Sequence, residues 1–161
     1  MEIVGERLIR ASRETVWAAL NDPEVLRATI PGCEELQKTS DTEFAAKVTV
    51  KIGPIKARFA GKVSLSDIVP PISYTISGEG QGGIAGFAKG GAGVQLEPAA
   101  DGSTLLRYSA RAEVGGKIAQ LGARLIDSTA RKLSGQFFDR FAETVSAPEG
   151  AAMPEQTAVA C

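Results

Sequence analysis

Side chains able to do covalent or acid–base chemistry are few in this sequence, and their arrangement excludes most catalytic designs. Histidine is absent from all 161 residues. That removes Ser-His-Asp and Cys-His catalysis, imidazole proton transfer and His-based metal sites. The two cysteines, Cys33 and Cys161, do not form a disulfide framework and suit a reducing cytoplasm. Cys33 follows Pro31 and Gly32 at a helix-to-strand junction, where proline and glycine set a turn. No imidazole is available to lower its thiol pKa. Acidic residues lie near strand ends, without a pair spaced as a catalytic dyad. The glycine-rich run GEGQGGIAG (78–86) leads into a strand and not a helix, which argues against a phosphate-binding loop. No catalytic residue, metal ligand or cofactor is therefore assigned.

Apolar side chains in alternation are what the sequence offers instead. Phe44, Val48, Phe59, Val63, Tyr74, Ile76 and Tyr108 recur at two-residue steps within their segments. Such residues build a plain core or line an apolar cavity, because ligand pockets are mostly apolar with a few polar groups. Burial of one such side chain contributes roughly 1.5–3 kcal/mol in either case. In the cavity reading, the hydroxyls of Tyr74 and Tyr108 supply polarity.

The elements that must position these residues can be read in order. Residues 1–10 form a first strand, with Val4 and Leu8 on one side. Ser12 caps a short helix over SRETVWAAL, and Asp22-Pro23 opens a second, with proline where its missing N–H costs nothing. Trp17 on the first helix reads as an anchor against the long helix described below. Strands follow at 42–52, 55–65, 72–80, 84–98 and 103–114, the first two with the cleanest alternation. Their wet second face argues for an antiparallel sheet covered on one side. Gly61, Gly78, Gly86, Ala88, Gly90 and Gly93 would ease its curvature and leave space beneath a covering helix; bulges and kinks are the alternative.

The covering helix runs from Lys117 to about Val145, roughly 40 Å at the usual rise. Ile118, Gly122, Leu125, Ile126, Thr129, Leu133 and Phe137 form its apolar stripe. The cavity side of that stripe is Ile118, Gly122, Leu125 and Ile126. On a helical wheel Phe138 falls with Gln120, Arg124 and Arg131, away from the stripe. An exposed aromatic beside arginine is a contact type enriched at interfaces, so Arg124, Arg131 and Phe138 are candidate partner-binding residues. Packing against a sheet edge or a second copy, as a homodimer, is the alternative for Phe138.

The expected fold class is thus α+β. A curved antiparallel sheet of about seven strands wraps the C-terminal helix, and two short helices follow the first strand. Residues 1–146 form one domain, and 147–161, with two prolines, read as a disordered tail. A net charge of −1 argues against nucleic acid, and no apolar run is long enough to span a membrane. The start lacks a signal pattern, so export is not expected. Lys47, Lys51, Lys56, Arg58 and Lys62 line the outer face of two strands. They are a solvated face or a surface for an acidic partner or anionic lipid.

The blocks ETVWAALNDPEVLRATIPGCEEL, GFAKGGAGVQLEP, DGSTLLRYSARAEVGGKIAQLG and ARLIDSTARKLSGQFFDRF together resemble the carbon monoxide dehydrogenase CoxG family. That family belongs to the START-like, helix-grip (SRPBCC) superfamily. The resemblance spans residues 1 to about 146 and implies an accessory protein of a molybdenum hydroxylase, not the redox centre. It also implies that the junction near Pro31 closes one end of the cavity, which makes Leu26 and Ile30 gate residues. Members that dock on membranes carry a longer, membrane-seeking extension. The tail here has two glutamates and no Lys or Arg, unlike an interfacial helix.

Three functions follow as expectations. The first is a cytoplasmic, non-catalytic protein that holds a quinone, isoprenoid or lipid between sheet and helix, with peripheral contact at the inner membrane face left open. The second is a recruitment or maturation module without ligand. The weakest is a cyclase or hydrolase using the cavity.

Overall fold

The computed structural model describes residues 1–146, and the expected tail lies outside the described residues. Seven strands form one antiparallel sheet in the order β1-β7-β6-β5-β4-β3-β2. They are β1 (Glu2–Ile9), β2 (Cys33–Ser40), β3 (Glu43–Ile52), β4 (Ile55–Val69), β5 (Ser73–Gln81), β6 (Phe87–Pro98) and β7 (Thr104–Gly115). Helices α1 (Arg13–Leu20) and α2 (Pro23–Thr29) link the two edge strands, and α3 (Ala123–Val145) covers the inner face. The helix-grip class expected from the sequence is the class observed.

Local chemistry explains the short helices. The Ser12 hydroxyl accepts the Thr15 amide at 3.2 Å, and the Asp22 carboxylate accepts the Glu24 amide at 2.9 Å. Pro23 occupies the first turn of α2. Two buried hydroxyls are satisfied: Thr104 donates to the Ala11 carbonyl and Thr29 to the Val25 carbonyl, each at 2.7 Å. The first of these bonds ties the exit of β1 to the start of β7.

The long helix differs from its expected span. Residues Lys117–Leu121 form a separate 3-10 turn, and Gly122 then adopts φ +96° before α3 begins at Ala123. A positive φ is open to glycine at little cost, so Gly122 is a corner and not a member of the stripe. Ile118 consequently sits in the turn, almost fully buried (1% exposed), and not on α3. Helix α3 is about 35 Å long at the usual rise.

Phe138 is a second correction. It is half-buried and stacks on Tyr108 with ring centroids 4.7 Å apart, inside the grip. Phe137 meets it edge-on at 5.0 Å and stacks on Phe141 at 5.6 Å. The apolar stripe thus widens over the last turns of α3. The wheel missed this because it took one fixed direction for a face that the curved sheet contacts over a broader arc.

Register places four of the six marked small residues on the inner face. Val63, Gly78, Gly90 and Ala112 lie abreast across β4 to β7, as do Gly61, Gly80, Ala88 and Val114. Gly93 faces outward beside Thr75 and Ser109, and Gly86 is a loop residue with φ +117°. At Gly61 and Gly90 the neighbouring strand comes very close. A Cβ there would lie 2.5 Å from the Glu79 carbonyl and 2.1 Å from the Arg111 carbonyl, respectively. Those two glycines admit an approach of neighbouring backbones that a side chain would block. Gly90→Ala should therefore destabilise the domain by about 1–3 kcal/mol, read as a lower urea midpoint. An unchanged midpoint would show that the strands separate there without cost.

Candidate functional site

Buried apolar residues between the sheet and α3 form two clusters. One cluster holds Ile9, Val16, Leu20, Phe44, Tyr74, Leu106 and Phe141 among its buried members. The other is Ile52, Ala57, Ala85 and Ile118, with Phe59, Leu121 and Leu125 packed against it. Ala46, Val48, Ala92, Ala110 and Ala112 point inward by register, are half-buried and belong to neither cluster. Ile126 on α3 and Ile30 at the end of α2 share that condition. The small side chains of β6 and β7 span little of the distance from sheet to helix.

An open recess of about 750 Å³ lies between β7, the 3-10 turn and the start of α3. Ala112, Val114, Ala119, Ala123 and Ile126 give it apolar walls, and Glu113, Arg124 and Asp127 give it a charged rim. A second depression, of about 780 Å³, crosses the outer face of the sheet. Its lining mixes charged chains, including the Lys89–Glu113 ion pair at 3.6 Å, with small residues such as Gly78, Gly90 and Gly91. The recess by α3 is the one of the two that lies against the covering helix.

Apart from Tyr108, the expected ligand residues fall into four groups. Val48, Ile30 and Ile126 belong to neither cluster, and Val63 and Ile76 are half-buried against the first. Phe44 and Tyr74 are buried in the first cluster and Ile118 in the second. Leu26, Phe59 and Leu125 are half-buried against one cluster or the other. Gly122 is exposed at the corner before α3, with nothing within 4 Å of a built Cβ. The residues that sequence reasoning missed are Ala110, Ala112 and Ala123. Ala110 and Ala112 were visible in the β7 alternation; Ala123 was hidden by the false continuity of the helix across Gly122.

Neither tyrosine hydroxyl stands free between sheet and helix. Burial holds the Tyr74 hydroxyl far above the ordinary phenol pKa, and Trp17 meets its ring edge-on at 5.2 Å. Tyr108 lies under Phe138, with its hydroxyl over Gly5, where a Cβ would come within 2.5 Å of it. Gly5 is therefore the space that Tyr108 fills. Arg124 and Arg131 are exposed on the outer side of α3, where Arg131 pairs with Asp127 at 2.9 Å.

Residues 5–146 match the CoxG family, whose description names it as a subunit of carbon monoxide dehydrogenase. The chain belongs to this family. A conserved protein from Geobacillus kaustophilus is similar in structure at TM-score 0.84 and 30% identity, over 90% of this chain and 95% of that one. A START superfamily protein from Mycobacterium smegmatis aligns at TM-score 0.68 and 16% identity, over 89% and 96%. The Zhui aromatase/cyclase from Streptomyces sp. R1128 aligns at TM-score 0.62 and 10% identity, over 90% and 93%. The last two are likenesses of fold. No curated protein matches the chain. Among the described residues, no helix of this CoxG-family chain is long and apolar enough to cross a membrane.

Cys33 behaves as a structural thiol. Burial raises its pKa above the ordinary value, against a smaller opposing effect of Arg27, and its Sγ–H reaches the Glu35 carbonyl at 3.4 Å. A raised pKa means less thiolate at a given pH. In a Cys161→Ser variant, Cys33 should alkylate with iodoacetamide several-fold more slowly than a cysteine peptide at pH 8. An equal or faster rate would contradict the burial argument.

Proposed function

We propose that this CoxG-family protein is a non-catalytic accessory protein that holds an apolar molecule between its sheet and α3. A quinone, an isoprenoid or a lipid chain fits that description, and a carbon monoxide dehydrogenase-like molybdenum hydroxylase is the enzyme it serves. The observation that carries this reading is the band of half-buried inward residues, Val48, Ala92, Ala110, Ala112 and Ile126, that belong to neither packed cluster. Family membership supports the accessory role, since the family is described as a subunit of carbon monoxide dehydrogenase. The absence of histidine from the sequence supports a role without acid–base chemistry of its own.

The exposed cationic side of α3 favours a second reading, in which Arg124, Arg131 and their neighbours recruit a partner enzyme and no ligand is held. Arg124 sits on the rim of the recess, so one surface would serve both roles.

Native mass spectrometry of the purified protein, followed by organic extraction, distinguishes the two. A stoichiometric apolar compound is expected, and Ala112→Phe should lower its occupancy at least about tenfold with the fold retained. The phenyl ring would enter the space between sheet and α3 beside Gly90, its neighbour on β6. A clean mass, unchanged after addition of quinones, would refute the ligand reading. Capture of a molybdenum hydroxylase from the native host, lost on Arg124→Glu, would then support recruitment.

A further inference from the structure

Single exposed apolar side chains are ordinary on a protein surface, whereas a run of them in one place marks a contact surface. The β4–β5 connection carries such a run. Ile68, Val69 and Ile72 are 38%, 49% and 45% exposed, and Pro70 and Pro71 stand between them, so five consecutive residues offer no polar side chain. Neighbours on a regular strand point to opposite faces, which would turn either Ile68 or Val69 inward. A register shift between Ser66 and Val69, with Asp67 at φ +52°, leaves both outside. The Ile72 amide donates to the Val69 carbonyl at 2.6 Å, and the Leu96 amide on β6 donates to the Ile72 carbonyl at 2.7 Å. The tip is thus held in shape before anything binds, which lowers the ordering cost of an encounter.

Charge around the tip has one sign. Residues 39–43, 66–73 and 96–103 make up the three adjacent strand connections at this end with the residues that flank them. They contain Asp41, Glu43, Asp67, Glu97 and Asp101, and no Lys or Arg. Glu97 is held by Arg107 at 3.3 Å; among the described residues the other four make no ion pair. The bases at this end are placed elsewhere. Lys38 lies over the Phe44 ring at 5.8 Å, and Arg10 and Arg13 follow β1, which β7 and β6 separate from β5. That sign decides what can cover the tip. Anionic bilayers and nucleic acids are repelled. A second copy meeting it tip to tip would set like carboxylates against each other, whereas a cationic protein surface is attracted.

We propose that the β4–β5 tip is a protein-docking site whose occupant presents an apolar depression rimmed by lysine or arginine. Ile68, Val69 and Ile72 fill the depression, and Asp67 and Asp101 meet the rim. Resting on the accessory reading above, the occupant is the molybdenum hydroxylase that the chain serves. The recess beside α3 opens where β7 ends, at the opposite end of the sheet from the tip. Docking at the tip therefore does not require the recess to be covered.

Carbon monoxide dehydrogenase purified from the native host and immobilised, with the full chain in solution, tests the tip. Affinity should fall as salt rises. Ile72→Asp should weaken it about tenfold or more, and Asp67→Asn and Asp101→Asn about threefold each, mainly through slower association. Asparagine tolerates the left-handed backbone of both positions, φ +52° and +60°, and unchanged urea midpoints would confirm the fold. A benzophenone amino acid in place of Val69 should crosslink to the enzyme. One in place of Ile84, on the opposite end of the sheet, should not. Affinity unchanged in these variants, crosslinking from position 84 alone, or a crosslink from position 69 only to a second copy would overturn the docking site, with enzyme binding itself left standing. No binding of the unsubstituted chain would overturn the docking site together with the enzyme named as its occupant, and the extracted ligand would be unaffected.

Discussion

Everything in this fold depends on the close approach of backbones at Gly61 and Gly90. A sheet of seven strands can wrap a helix only if its strands bend, and bending brings one strand's carbonyls into the volume where a neighbour's Cβ would stand. The absence of side chains there has two effects. It lets the sheet curve, and it leaves the inner face thinly furnished between β4 and β7. Larger residues lie to either side, Phe44 and Tyr74 in one packed cluster and Ile52 and Ile118 in the other.

The site inherits its character from that division. Packed clusters supply the stability, and Ala110 and Ala112, which belong to neither, contribute little to it. Tyr108 illustrates the opposite case: with Gly5 below it and Phe138 above, it is wholly committed to fastening α3 to the β1 edge.

The sequence made much of this legible where one side chain decides one angle or one face. The alternation in β3 and β4 predicted which residues face inward, and the caps at Ser12 and Asp22 marked both short helices. Strand β2 was harder to see. CEELQKTS has two apolar members, and bulges between Cys33 and Glu35 and between Lys38 and Ser40 break its register, so no period survives. The extension of β4 to Val69 passes through Asp67 at φ +52°, a conformation that alternation cannot announce. The site was legible only in part. Gaps are set by what several strands leave unfilled together, whereas a sequence displays one strand at a time. Gly122 shows the remaining difficulty: a glycine at a three- or four-residue step fits a helical stripe equally well as a member or as a corner.

The two ends of α3 are fastened unequally. Phe141 is wholly buried, Phe138 lies on Tyr108, and Arg7 reaches Asp139 at 2.8 Å, all in the second half of the helix. Its beginning follows a glycine that offers no side-chain cap, and no acidic residue stands in its first turn. The helix thus resembles a lever pinned at its far end. In its first turn Leu125 packs on the second cluster, so that side chain holds the uncapped end to the sheet and loosening there need not disturb the aromatic clamp.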